Sequence, residues 1–85
     1  MAVNTNSDDY GAAATLDITS ETCPMTFVRT RLALDRLLPG QILHVKLTGE
    51  EATRNVPQTA AQLGHHIVAQ HIDAAGVMHL ILRRA

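Results

Sequence analysis

Aromatic side chains are almost missing from this sequence, which has no Trp, one Tyr and one Phe. Proteins that bind single-stranded nucleic acid stack its bases on aromatic rings, so the chain lacks the material for such a platform. An excess of positive charge is missing too, because seven Lys and Arg face eight Asp and Glu, giving a formal net charge of −1. Phosphate backbones bind to basic surfaces, so we expect no direct contact with nucleic acid.

Long hydrophobic runs are also absent, although 46% of the 85 residues are hydrophobic. A membrane-spanning helix needs about 20 consecutive apolar residues, so we expect no association with a membrane. The length suits one small domain. The polar residues 1–13 predict a flexible leader without the hydrophobic region of a secretory signal, and residues 14–85 predict the folded domain.

Cysteine occurs once, at Cys23, so the chain cannot form an intramolecular disulfide. A small domain without disulfides is typical of a reducing compartment. We therefore predict a cytoplasmic protein in which this thiol stays free, and we expect a monomer.

The hydrophobic pattern predicts the element order β-α-β-α-β-β. Pro24 favours a helix start and Pro39-Gly40 a helix end. The second helix is predicted to begin near Asn55 and Pro57 and to end at Gly64, and a hairpin turn is predicted at residues 73–76. The predicted spans are a strand over 14–18, a helix over 24–38, a strand over 41–48, and two strands over 66–72 and 77–83.

The strand predicted over residues 41–48 has one apolar face. Leu43, Val45 and Leu47 alternate with the mostly polar set of Ile42, His44, Lys46 and Thr48. We expect both helices to cover the apolar face. The predicted fold class is therefore α+β, a two-layer α/β sandwich with one open sheet face.

Five landmarks follow one another along the chain. They are Leu16-Asp17, Cys23-Pro24-Met25-Thr26, Pro39-Gly40, the turn-like segment 51–57, and Gly64-His65. In their order and spacing they resemble the TusA/SirA family of small sulfur-carrier proteins, over about residues 14–84. The family pattern has a second proline where this chain has Thr26, and Asp-Pro and Asp where it has Glu51-Ala52 and Asn55. The resemblance implies a mixed four-stranded sheet of order 1-2-4-3 with both helices on one face.

The activity that the resemblance implies is sulfur relay. Cys23 would accept a sulfane sulfur as a persulfide and pass it to an acceptor protein's cysteine, and Pro24 would fix the helix start. No cofactor is implied. The donor would be a cysteine desulfurase or a rhodanese-like protein, and the acceptor would serve tRNA thiolation, molybdenum-cofactor chemistry or sulfur oxidation.

The predicted position of Cys23, at or next to a helix N-cap, fits this chemistry. The positive end of the helix dipole and its unpaired N–H groups favour the reactive thiolate. The alternative is a small buried side chain with no chemical role, since free cysteines are often buried.

A helical projection divides the first helix into two apolar lines. The first should face the sheet and contains Phe27, Thr30, Ala33, Leu34, Leu37 and Leu38. The second contains Met25, Val28 and Leu32, flanked by Arg29, Arg31 and Arg36. We interpret the second line as a docking surface for an acidic or apolar partner that brings its own cysteine, or alternatively as the contact with the second helix.

Five histidines raise the question of a metal site. The hairpin register places His71 beside His79, and the sheet order places His44 on the next strand, so three imidazoles on one face could bind Zn or Ni. We expect instead a solvated polar face and no metal, and we assign His65 and His66 to the turn between helix and strand.

Other functions remain open from the sequence alone. The carboxylates form no pair typical of a hydrolase. The first alternative to a sulfur carrier is an interaction or regulatory module of the same fold that carries no sulfur. The second is an accessory subunit of a membrane transporter or a redox enzyme.

Overall fold

Alternating apolar residues build the strands, and runs with a period near four residues build the helices. The computed structural model describes residues 11–22 and 25–85. Its elements follow the predicted order. They are β1 (Ala14–Asp17), α1 (Met25–Asp35), β2 (Ile42–Leu47), α2 (Glu50–Gln62), β3 (His66–Ile72) and β4 (Met78–Arg83).

The four strands form one mixed sheet in the order β1-β2-β4-β3. β1 pairs with β2 in parallel, and β4 lies antiparallel to both β2 and β3. β3 therefore runs parallel to β2 with β4 inserted between them. This topology, with two helices on one face, confirms the predicted fold class.

The core lies between the sheet and the helices. Leu43, Val45 and Leu47 of β2 are fully buried, as predicted, and pair in register with Leu82, Leu80 and Met78 of β4. α2 adds the buried residues Ala52, Val56 and Ala60, and α1 adds Leu34. Within the part of the chain that the structure describes, neither helix is long and apolar enough to cross a membrane.

The end of α1 was predicted three residues too late. The helix ends at Asp35, because the Arg36 and Leu37 N–H groups bond to carbonyls only three residues back, which tightens the chain into a turn. The Leu38 N–H then donates to the side chain of Gln41 at 2.8 Å. Leu38 consequently is 68% exposed and does not belong to the sheet-facing line.

The predicted start of α2 was wrong by five residues. The helix begins at Glu50, after Gly49, whose φ of 94° suits glycine. The acidic residues Glu50 and Glu51 occupy the first turn, where the helix dipole favours negative charge. Pro57 lies inside the helix rather than at its start, and the segment 51–57 is helical rather than a turn.

The β3–β4 hairpin turn forms where it was predicted and is organised by Asp73. Its Oδ1 accepts hydrogen bonds from the N–H groups of Ala75 at 2.9 Å and Val77 at 3.0 Å, and its Oδ2 lies 2.8 Å from His79 Nε2. Gly76 supplies the positive φ, 86°, that the turn needs. These contacts lower the pKa of Asp73. The hydrogen bond with His79 contributes most, and those from the Val77 and Ala75 N–H groups add to it.

We predict that this turn makes the fold sensitive to acid. Because the folded pKa of Asp73 lies below its ordinary value of 3.8, its stabilising contribution is present above that value and is lost as the pH falls through the folded pKa. Urea unfolding of the wild type between about pH 2 and pH 6 should show this loss, and Asp73→Asn should flatten part of it. Hydrogen bonds from Thr19 also lower the pKa of Asp17, so we expect a second contribution of the same sign that Asp73→Asn leaves in place. An unchanged pH profile in the variant would contradict the prediction.

Candidate functional site

The starts of α1 and α2 meet at a cavity of about 240 Å³. Glu21, Thr22 and Thr26 line it from the side of α1, and Thr48, Gly49, Glu50, Glu51 and Ala52 line it from the side of α2. Cys23 and Pro24, the predicted sulfur carrier and helix-starting residue, stand in the sequence between Thr22 and Met25 but lie outside the described residues. Their roles therefore remain predictions.

Backbone hydrogen bonds at the start of α1 centre on Thr22. Its carbonyl oxygen accepts the N–H groups of Met25 at 2.7 Å and Thr26 at 3.3 Å. The first turn of α1 as described contains no acidic residue. The N-terminus of α1 thus presents the positive end of its helix dipole to groups near Thr22.

Glu21, just before that turn, forms an ion pair with one of the predicted docking residues. Arg29 Nη1 lies 2.9 Å from Glu21 Oε2. The pairing reduces the negative charge of Glu21 beside the cavity. It also occupies Arg29, so Arg31 and Arg36 carry more of the positive charge that a partner would meet.

The second apolar line of α1 is exposed. Met25, Val28 and Leu32 have exposed fractions of 43%, 37% and 55%, so they are not buried against α2, as the alternative interpretation would require. At 3.6 residues per turn they share an arc of roughly 100° with Arg29, whereas Arg31 lies about 60° outside this arc and Arg36 lies in the turn after the helix. The structure therefore groups Met25, Val28, Leu32 and Arg29 on one exposed face of α1, with the exposed Arg31 and Arg36 away from it.

Sequence reasoning missed Thr26 as a buried residue. It is 1% exposed, and among the residues that the structure describes its hydroxyl oxygen has no hydrogen-bond partner. Thr30, one turn later, is also buried, but its hydroxyl donates to the Thr26 carbonyl at 2.8 Å. The four-residue spacing between the two threonines was the available signal, because it places them on one helix face.

The predicted histidine row forms on the sheet face opposite the helices. His71 stacks on His79 with ring centroids 5.0 Å apart, and His44 Nε2 lies 2.9 Å from His79 Nδ1. His44 is buried, which corrects the expectation of a uniformly solvated face. The reason is its place on a central strand, between β1 and β4.

No metal-binding geometry accompanies this row. Both ring nitrogens of His79 are engaged, one with His44 and the other with Asp73. Over residues 11–22 and 25–85, no group of three or more His, Cys, Asp or Glu side chains is arranged to hold a metal ion. His65 lies in the turn after α2, where its Nδ1 accepts the N–H of Ala85 at 3.1 Å.

Comparison with known proteins identifies relatives over most of the chain. The family model described as Sulfurtransferase TusA matches residues 14–84. A putative sulfur carrier protein of Archaeoglobus fulgidus is 38% identical over 69 residues, covering 81% of this chain and 78% of the relative. The sulfur carrier protein TusA of Pseudomonas aeruginosa is 31% identical over 76 residues, covering 89% and 96%.

A solved structure shares the fold. The SirA-like protein from Desulfitobacterium hafniense superposes with a TM-score of 0.74, at 21% sequence identity, covering 82% of this chain and 95% of that one. At this identity the similarity concerns the fold alone.

Proposed function

The chain belongs to the TusA family, and from that premise we propose that it is a sulfur-relay protein in which Cys23 carries a sulfane sulfur as a persulfide. Relatives named sulfur carrier proteins support a sulfur-relay role in general. One observation supports the assignment to Cys23: the chain's single thiol stands between Thr22, whose carbonyl accepts the first hydrogen bonds of α1, and Met25, where α1 begins.

The proposed chemistry consists of two balanced displacements. The Cys23 thiolate attacks the terminal sulfur of a donor persulfide, a new S–S bond forms, and the donor's S–S bond breaks to release the donor thiolate. An acceptor thiolate then attacks the terminal sulfur on Cys23, and Cys23 leaves as a thiolate. The sulfur is transferred without an external oxidant or reductant, so one cysteine is sufficient.

The partners are proposed to be a donor protein, either a cysteine desulfurase or a rhodanese-like protein, and an acceptor with its own cysteine. Both must approach Cys23. α1, which begins two residues later in the sequence, carries the exposed Met25, Val28 and Leu32 together with Arg29 and Arg31, and Arg36 follows the helix directly. Apolar side chains in a positively charged rim suit a partner with an apolar patch and acidic residues. A thiol that must stay reduced suits the cytoplasm, where we propose that the protein acts.

Sulfur loading tests the proposal directly. The wild-type protein, incubated with a cysteine desulfurase and cysteine or with a rhodanese and thiosulfate, should gain the mass of one sulfur atom. Dithiothreitol should remove it. If the folded chain stays unmodified with both donors, the sulfur-carrier proposal fails and the interaction module without sulfur becomes the better account.

A further inference from the structure

We propose that Asp73, His79 and His44 form a pH-sensitive switch on the sheet face opposite the helices. When His79 takes up a proton, the hydrogen bond between His79 and His44 reverses its direction. These side chains take no part in the proposed sulfur transfer, so the switch does not depend on that function.

The three side chains form a continuous hydrogen-bonded path from the hairpin turn to the central strand β2. Asp73 Oδ2 lies 2.8 Å from His79 Nε2, and His79 Nδ1 lies 2.9 Å from His44 Nε2. The path begins at the exposed Asp73, passes through the half-buried His79 and ends at His44, which is 4% exposed. A proton taken up by His79 therefore changes the surroundings of a buried ring.

These contacts determine which ring nitrogens carry hydrogen at neutral pH. The hydrogen bond with His79 lowers the pKa of Asp73. Its carboxylate is therefore ionised and only accepts hydrogen bonds, so His79 Nε2 donates to it. In a neutral imidazole the other nitrogen is an acceptor, so His79 Nδ1 accepts and His44 Nε2 donates. Both rings thus carry their hydrogen on Nε2.

Proton uptake by His79 is incompatible with this arrangement. An imidazolium ring donates from both nitrogens, so the Nδ1–H of His79 would face the Nε2–H of His44 across 2.9 Å. Two donors facing each other make no hydrogen bond, and the buried ring would be left without its partner. The conflict is removed when His44 releases the hydrogen on Nε2 and takes one up on Nδ1. Its Nε2 then accepts from His79, and the pair has gained one proton.

The charged and titratable groups that face His79 come from three directions. From the hairpin turn, the Asp73 carboxylate contacts Nε2 and favours a positive charge on the ring. From β3, His71 stacks on it with ring centroids 5.0 Å apart. From β2, Lys46 is its register partner. His71, once protonated, and Lys46 oppose that charge, but the carboxylate is the group in direct contact with a ring nitrogen, so His79 can hold the proton.

The strands around His44 present mainly uncharged groups to it. On β1 its register partner is Thr15. On β2 itself Lys46 lies two positions further along, opposite Asp17 of β1. On β4 the ring contact is His79. Because His44 is buried, an added charge on it is costly, so the proton goes to His79 and His44 responds by moving its own hydrogen.

Nitrogen-15 NMR of the wild-type protein tests the switch, because it shows which ring nitrogens carry hydrogen. Histidine changes its charge between about pH 5 and pH 8. At the upper end of this range both His44 and His79 should carry hydrogen on Nε2. At the lower end His79 should carry it on both nitrogens and His44 on Nδ1. The switch is wrong if His44 keeps its hydrogen on Nε2 throughout, or if its Nε2 already lacks hydrogen at the upper end.

Asp73→Asn tests the part played by the carboxylate, because it keeps an acceptor oxygen but removes the negative charge. The midpoints for proton uptake by His79 and for the change at His44 should fall together by about one pH unit. Asp17→Asn is the matched control. Its carboxylate lies on the same sheet face and is also hydrogen-bonded, but to Thr19 rather than to a histidine, and the midpoints should stay nearly unchanged. Equal midpoints in the wild type and folded Asp73→Asn, or an equal fall in both variants, overturn the role of Asp73. If Asp73→Asn does not fold, the wild-type titration alone decides whether the bond reverses.

Discussion

Replacing Cys23 with Ser should abolish sulfur loading completely. The chain has no second cysteine, so no other thiolate can attack a donor persulfide, and a serine hydroxyl at neutral pH is a far weaker nucleophile than a thiolate. Serine is also favoured at helix N-termini, so the start of α1 should tolerate it. Intact-mass spectrometry after incubation with the donor should show only the unmodified variant.

The control for this loss is a check that the variant still folds. Circular dichroism and the thermal midpoint of Cys23→Ser should match those of the wild type, and wild type blocked with iodoacetamide should fail to load in the same way. A folded Cys23→Ser that still gains a sulfur atom would contradict the assignment of Cys23 as the carrier.

Two leucines on opposite sides of α1 should separate docking from packing. Leu34 is buried in the core with 1% exposure, whereas Leu32 is 55% exposed on the proposed docking surface. Leu34→Ala should lower the free energy of unfolding by about 2–5 kcal/mol, with near-normal transfer from the molecules that remain folded. Leu32→Ala should change stability by less than about 0.5 kcal/mol but slow the transfer of sulfur from donor to chain.

The arginines provide the electrostatic half of this prediction. Charge reversal at Arg31 and Arg36 should slow association with an acidic donor surface and reduce its salt dependence, while the thermal midpoint stays nearly unchanged because both residues are exposed. Urea unfolding and stopped-flow loading kinetics measure the two properties. If both Leu32→Ala and the charge reversal leave loading kinetics untouched, the surface does not serve as the donor's docking site.

Much of the fold was predictable because its signals are local. The alternation of Leu43, Val45 and Leu47 indicated which face of β2 is buried, and the turn residues Asp73 and Gly76 indicated the hairpin. Both signals depend on neighbours in sequence, and both predictions are confirmed by the structure.

The start of α2 was not predictable from its proline. Pro57 is favoured in a first helical turn, which suggested a start near Asn55. In the structure Ala52, Val56 and Ala60 are buried at four-residue intervals on both sides of the proline. The stabilisation from packing these residues therefore outweighs the loss of the hydrogen bond that Pro57 cannot donate. This burial depends on contacts between the helix and the sheet, and the residues around Pro57 do not reveal those contacts.

In the candidate site, too, some features were predictable from the sequence and others were not. The exposed line of Met25, Val28 and Leu32 follows from helical periodicity alone. The burial of Thr26 does not, because it depends on how α1 packs in the fold, next to a cavity formed with α2. The role of Cys23 came from the family resemblance, since a single cysteine has no pattern of its own.

The most direct measurement of the central claim follows one sulfur atom onto Cys23 and off again. The loaded wild type is first separated from the donor. The mass of tryptic peptide 1–29, which contains the single cysteine, is then measured by mass spectrometry before and after the protein is treated with cyanide. Cyanide takes up a sulfane sulfur as thiocyanate. We predict one additional sulfur on this peptide, one thiocyanate per loaded chain, and return to the unmodified mass. Additional sulfur on another peptide, or sulfur that cyanide does not release, would contradict the account.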